Sequence, residues 1–237
     1  MPDFLIIGAQ KCGTTSLFQY MIQHPQILGT NRKEIHFFDK KYVKGIEWYK
    51  QQFPSKPVGS RLLLIGEATP SYIFDPKVPN RINNHLPNVK LIILLRNPVD
   101  RAYSQYHMQL RSKKHELFPN GLNKDALTFE DVLDKNIGDY LSRGIYAEQL
   151  ERWVKLFPRR QLLILQSERF FTNPEETLKK VFDFLGLPRH ELEHYEQYRK
   201  GEYDEMNPKT REKLLAFFKS HNQRVYQLLE ENFKWDL

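Results

Sequence analysis

Short, almost purely apolar runs recur along the chain: FLIIG at 4–8, LLLIGE at 62–67, VKLIILLR at 89–96 and QLLILQ at 161–166. Runs of this length without polar alternation predict strands covered on both faces. Between them, at 14–24, 98–113, 146–157 and 175–185, apolar positions return with helical spacing. Strand and helix therefore alternate, the pattern of an α/β fold with a central parallel sheet and helices on both faces.

Punctuation supports these elements. Asn173 followed by Pro174 reads as an N-cap with proline at the first helical position, Gly186 and Pro188 close that helix, and Asn207 with Pro208 opens the C-terminal one. Two polar stretches, about 112–128 and 188–208, interrupt the pattern. Long excursions in a compact α/β fold are commonly functional or mobile, so both are candidate lids over a site.

The first strand runs into GAQKCGTTS at 8–16, a glycine-rich turn entering a helix, which presents backbone N–H groups to a phosphate. Gly8 and Gly13 keep the spacing of a nucleoside-triphosphate loop, but Thr14 stands where its lysine belongs and Lys11 lies inside the turn. The third run ends in Arg96. A metal-dependent nucleotide site ends such a strand in Asp; a guanidinium cannot ligate a metal, and instead grips phosphate with its planar fork. Glu67, closing LLLIGE, is the carboxylate left to stand in as a metal ligand or substrate contact, and no second carboxylate accompanies it.

A ligand with two separated anionic groups accounts for this better than a triphosphate. One group would lie at Lys11, Cys12, Gly13, Thr14, Thr15 and Ser16, with backbone N–H groups, hydroxyls and one cation; the second would meet Arg96 and a hydroxyl on the next helix, where Ser104 stands two turns in. Such folds bind ligands at the C-terminal edge of the sheet. In KEIHFFD at 33–39, Glu34 and His36 are two apart, so in an extended segment both face one side, where either could take a proton.

Composition narrows the field. At 237 residues, 40% hydrophobic and 13% aromatic, the chain is long enough for one sizeable α/β domain, expected to span 1–237. Lys and Arg number 36 against 29 Asp and Glu, giving +7, which favours an anionic ligand. The charge is dispersed, without the basic tract of a nucleic-acid binder, and a P-loop kinase or hydrolase would need the lysine that Thr14 replaces. A single cysteine, Cys12, leaves no intramolecular disulfide and fits a reducing compartment. Met1 lies too near the first strand for a cleavable leader, and no run of 18 apolar residues exists, so a cytoplasmic enzyme without membrane or nucleic-acid partners is expected. Trp48, Tyr49, Tyr72 and Phe74 are candidates for either an acceptor cleft or the core.

These motifs resemble those of sulfotransferases that use 3′-phosphoadenosine 5′-phosphosulfate (PAPS) as donor and release 3′-phosphoadenosine 5′-phosphate (PAP). GAQKCGTTS is similar to their 5′-phosphosulfate loop and LLRNPVDRAYSQY to their 3′-phosphate motif. KEIHFFD, KGIEWYKQQFP, GEATPSYIFDPKVPNRI and RGIYAEQLERW look like stretches of the heparan sulfate N- and 3-O-sulfotransferase branch. The resemblance implies metal-independent sulfuryl transfer to a hydroxyl or amine of a carbohydrate or small molecule. It implies Glu34 as base, His36 and Asp39 as residues that position the base or acceptor, and Lys11 on the leaving phosphate. It also implies a donor contact at Tyr146 and a basic segment at Arg199, Lys200 and Gly201 closing over the 3′-phosphate side, with Tyr203 following it. Ala68 stands where the glycosaminoglycan enzymes carry lysine, and their lumenal cysteine pair is absent, departures that suit a bacterial, cytoplasmic member acting on another acceptor.

Overall fold

In a computed structural model, residues 1–30, 34–56, 63–111, 127–196, 198 and 201–236 are described. They group into two compact units, Met1–Leu95 with Gln149–Arg199, and Arg96–Glu148 with Lys200–Leu237.

The first unit holds the sheet. Strands β1 (Phe4–Gly8), β2 (Ile27–Gly29), β3 (Leu64–Ala68), β4 (Lys90–Leu95) and β5 (Leu162–Gln166) lie in the order β2-β3-β1-β4-β5. Every pairing is parallel. Four of the five strands are the apolar runs of the sequence; β1 is buried at all five positions and β4 at its last five, as a strand covered on both faces requires. The edge strand β2, of three residues, is too short to leave an apolar signature and was not predicted.

Helices flank the sheet: α1 (Thr14–Met21), α2 (Phe37–Lys40), α3 (Gly45–Lys50), α4 (Val78–His85), α8 (Ser167–Thr172) and α9 (Pro174–Leu185). The Asn173 side chain accepts from the Glu176 N–H and Gly186 takes the left-handed conformation at φ 77°, so α9 begins and ends as its punctuation predicts. The α/β fold with a parallel sheet flanked by helices is thus the observed one.

Chain order places the reversal point beside β1. From β1 the chain builds β2 and β3 on one side, then crosses to β4 and β5 on the other. β1 and β4 end together, where the Ala9 N–H donates to the Leu94 carbonyl at 2.7 Å. A crevice at the carboxyl ends of two strands that diverge in topology is where open α/β sheets bind ligands.

The second unit is helical, with α5 (Pro98–Arg111), α6 (Phe129–Asp134) and α10 (Pro208–Leu229) packed around Val99, Tyr106, Phe129, Leu214 and Phe218. Helix α7 spans Tyr146–Val154; its residues up to Glu148 are counted in the second unit and those from Gln149 in the first. Thr128 and Asp131 form a reciprocal capping box on α6. The Asn207 side chain caps α10, again as predicted. Most of the 112–128 excursion lies outside the described residues.

Candidate active site

The turn from β1 into α1 is shaped by glycine. Gly13 is the N-cap of α1 at φ 87°, and a Cβ there would lie 2.7 Å from Phe171 Cζ, so neither the backbone nor the space admits a side chain. No side chain caps α1 and no acidic residue occupies its first turn. With Lys11 in the loop and the hydroxyls of Thr14 and Thr15 in the first turn, this donor set suits an anion and carries no carboxylate that would repel one.

Two residues assigned to that cradle also have structural partners. Cys12 is 0% exposed and its N–H closes a turn onto the Ala9 carbonyl, so it sets the loop's shape rather than offering a donor. Ser16 is buried and its Oγ accepts the Tyr198 N–H at 3.2 Å, tying the segment after α9 to α1. A support that sequence reasoning missed comes from α8, where the Ser167 hydroxyl donates to the Cys12 carbonyl at 2.7 Å.

The second cluster lies at KEIHFFD. His36 Nδ1 is 2.8 Å from Asp39 Oδ2, and His36 Nε2 is 3.6 Å from Glu34 Oε2. Exposure rises along the row, from 6% for the Asp39 side chain through 21% for His36 to 35% for Glu34, so Glu34 is the open end. The hydrogen bond with Asp39 and the interaction with Glu34 outweigh burial and push the His36 pKa up to about 9. Burial alone would raise Asp39, but the hydrogen bonds with His36 and Ser71 hold its carboxyl below the usual value.

Glu34 and His36 meet, but not in an extended segment. Both occupy the left-handed region, at φ 60° and 56°. Lys11 does too, at φ 71°, so three of the six non-glycine residues with positive φ among those described are the candidate catalytic ones. Such conformations cost about 1–3 kcal/mol each and persist where surrounding contacts impose them, commonly at active sites.

Folding raises the His36 pKa above its ordinary 6.5, so the interaction stabilises the fold fully below that value and fades as pH climbs through about 9. A proton NMR titration of the His36 ring is expected to give a midpoint near 9. A midpoint at 6.5 would mean that the two carboxylates do not hold the ring.

Glu67 needs correction. It is 0% exposed and accepts from the hydroxyls of Tyr49, Thr69 and Tyr72, so it has no open face for a substrate or a metal. Burial raises its pKa against the pull of those three donors. Tyr49 and Tyr72 are likewise core, each 0% exposed.

In the second unit, Ser104 lies buried on α5, and Arg96 lines a concavity of about 410 Å³ with Asp100, Tyr103, Tyr203 and Arg211. Asp204 and Glu205 line it too, so among the described residues carboxylates outnumber arginines there. Asp100 is bound by Arg211 at 2.5 Å. Tyr146 is 0% exposed and its hydroxyl donates to the Arg96 carbonyl at 2.9 Å. It therefore anchors the Arg96 backbone and is not an open nucleotide contact. Tyr203 stacks on His107 with ring centroids 4.3 Å apart. Gly201 is close-packed, its would-be Cβ 2.7 Å from Arg111 Nη2, while Arg199 and Lys200 lie outside the described residues.

Residues 1–228 match the family model described as Sulfotransferase domain. The chain belongs to the sulfotransferase family. It is 30% identical over 264 residues to human heparan sulfate glucosamine 3-O-sulfotransferase 3B1, covering 100% of this chain and spanning 65% of that protein. A sulfotransferase from Alicyclobacillus acidocaldarius superposes with a TM-score of 0.82 at 29% identity, covering 100% of this chain and 99% of that one. A mouse sulfotransferase solved in complex with PAP shares the fold, with a TM-score of 0.57 at 19% identity over 80% of this chain and 60% of that one. Among the described residues no helix is long and apolar enough to cross a membrane, and no cluster of His, Cys, Asp and Glu is arranged to hold a metal ion.

Proposed function

We propose that this protein transfers a sulfuryl group from PAPS to a hydroxyl or amine of a carbohydrate or small-molecule acceptor, with Glu34 as the base. The observation that carries this reading is that one compact unit holds both a glycine-capped turn lacking the triphosphate lysine and a carboxylate–imidazole–carboxylate row. PAPS, when bound, supplies the sulfuryl group and a phosphate leaving group. The uncapped N-terminus of α1, Thr14, Thr15 and Lys11 are suited to its 5′ end. Arg96 and Ser104 are suited by chemistry to its 3′-phosphate.

Sulfuryl transfer, like phosphoryl transfer, asks the protein mainly to position groups and to stabilise charge. Glu34 is placed to accept the acceptor's proton. His36 has a carboxylate before each ring nitrogen and stays protonated to about pH 9, so it orients Glu34 rather than acting as base. Asp39, held by the Ser71 hydroxyl at 2.7 Å, fixes the ring from behind. Lys11 and the loop amides offset the charge that develops on the departing phosphate.

Calorimetry with PAP and with ATP, each with and without Mg²⁺, tests the donor. Micromolar binding of PAP without metal and none of ATP is the expected result; Mg²⁺-dependent ATP binding would overturn it. Labelled-sulfate transfer to heparan sulfate, to simpler sugars and to small phenols and amines then assigns the acceptor. Ala68 stands at the end of β3 where the resemblance to glycosaminoglycan enzymes implies a lysine, and on that departure a small or uncharged acceptor is favoured over heparan sulfate.

A further inference from the structure

Glu67, Thr69 and Tyr72 take no part in the chemistry above, yet Glu67 is a carboxylate with no exposed surface. A charge buried so deeply is costly unless donors meet its lone pairs. Here three hydroxyls do so: Tyr49 donates to Glu67 Oε2, Thr69 to Oε1 at 2.6 Å and Tyr72 to Oε1 at 3.0 Å.

Two of those hydroxyls have a second duty. Thr69 Oγ1 accepts from the His36 N–H at 3.5 Å, and the Tyr72 oxygen accepts from the N–H groups of Phe37 at 3.0 Å and Phe38 at 3.3 Å. These amides open α2, the short helix that carries Asp39, and His36 provides no side-chain cap for them. A hydroxyl has one proton. Because a carboxylate only accepts, Glu67 draws the protons of Thr69 and Tyr72 inward and leaves their lone pairs facing the three amides.

The same segment, Glu67 to Tyr72, bonds further to the row of catalytic candidates. The Ala68 carbonyl accepts the Glu34 N–H at 3.1 Å, and the Ser71 hydroxyl donates to Asp39 Oδ2. Left-handed backbone at Glu34 and His36 thus coincides with bonds from Ala68, Thr69, Ser71 and Tyr72 of one strand end and turn.

We infer that Glu67 is a positioning residue, the fixed acceptor behind Thr69 and Tyr72 that holds the Glu34–His36–Asp39 turn in register for proton transfer. The inference rests on the reading of Glu34 as base. Burial excludes Glu67 from contact with substrate, so it acts through the two hydroxyls and the amides they receive.

Glu67→Leu removes the shared acceptor directly; Thr69→Val and Tyr72→Phe each remove one arm and keep the test decisive where the leucine variant does not fold. Three readouts apply: the NMR titration of the His36 ring, hydrogen exchange of the His36, Phe37 and Phe38 amides, and PAP affinity by calorimetry. The groups facing His36 are Glu34, Asp39, Lys40 and Ser71, and all remain in these variants.

Thr69→Val and Tyr72→Phe are expected to move the His36 midpoint down from about 9 and to speed exchange of the amides each one served by about tenfold or more, with PAP affinity within about twofold. Thr69→Ser should restore the parent values. An unmoved titration and unmoved exchange in both variants would overturn the inference, as would a parallel loss of PAP affinity, which a merely structural role would produce. None of these readouts needs an acceptor, whereas Glu34→Gln in a sulfate-transfer assay tests the base itself, so failure of the one is distinguishable from failure of the other.

Discussion

Replacing Glu34 by glutamine is expected to lower sulfate transfer by about 10² to 10⁴ while leaving PAP affinity unchanged. The substitution keeps the shape of the side chain and removes the carboxylate that takes the proton. Its partner His36 cannot compensate, because Asp39, 2.8 Å from the other ring nitrogen and the largest cause of its raised pKa, remains in the variant and still favours the protonated ring. The His36 pKa should fall in this variant, since one of the two carboxylates that raise it is gone. Initial rates with labelled PAPS and an accepted substrate, beside calorimetry with PAP, separate the base from the donor site. Transfer at the parent rate would remove Glu34 from the mechanism. A joint loss of transfer and PAP binding would mean that the turn had collapsed.

The fold was legible because its signals are local. Apolar runs such as FLIIG mark strands buried on both faces, and Asn-Pro openings mark α9 and α10. The candidate site was legible as residue types, less so as geometry. Glu34 and His36 were read as neighbours on an extended face, yet each sits in a left-handed conformation that no charged residue advertises in sequence. Glu67 looked like an available carboxylate because the hydroxyls that enclose it come from positions 49, 69 and 72, a convergence set by tertiary packing. Tyr146 was assigned to the donor by resemblance, whereas its hydroxyl is committed to the Arg96 carbonyl. Burial and hydrogen-bond partnership decide such cases, and neither is written into spacing.

Replacing Lys11 by glycine is expected to separate activity from stability. The ammonium is the cation proposed for the leaving phosphate, and the loss of one preorganised donor to a developing anion costs roughly 10² to 10³ in rate. Lys11 also holds φ 71°, a conformation that costs a residue with a Cβ about 1–2 kcal/mol and glycine almost nothing. Against that relief stands the greater freedom of glycine in the unfolded chain, roughly 0.5–1 kcal/mol, so thermal stability should hold or rise slightly. Lys11→Met, which keeps the backbone strain and the apolar stem but not the charge, should match the glycine variant in rate and not in stability. Turnover that survives in both variants would show that the loop amides and the α1 N-terminus stabilise the leaving group without a cation. A fall in Tm for the glycine variant would instead mean that the Lys11 side chain holds the turn together, and that its strained backbone serves the fold rather than the chemistry.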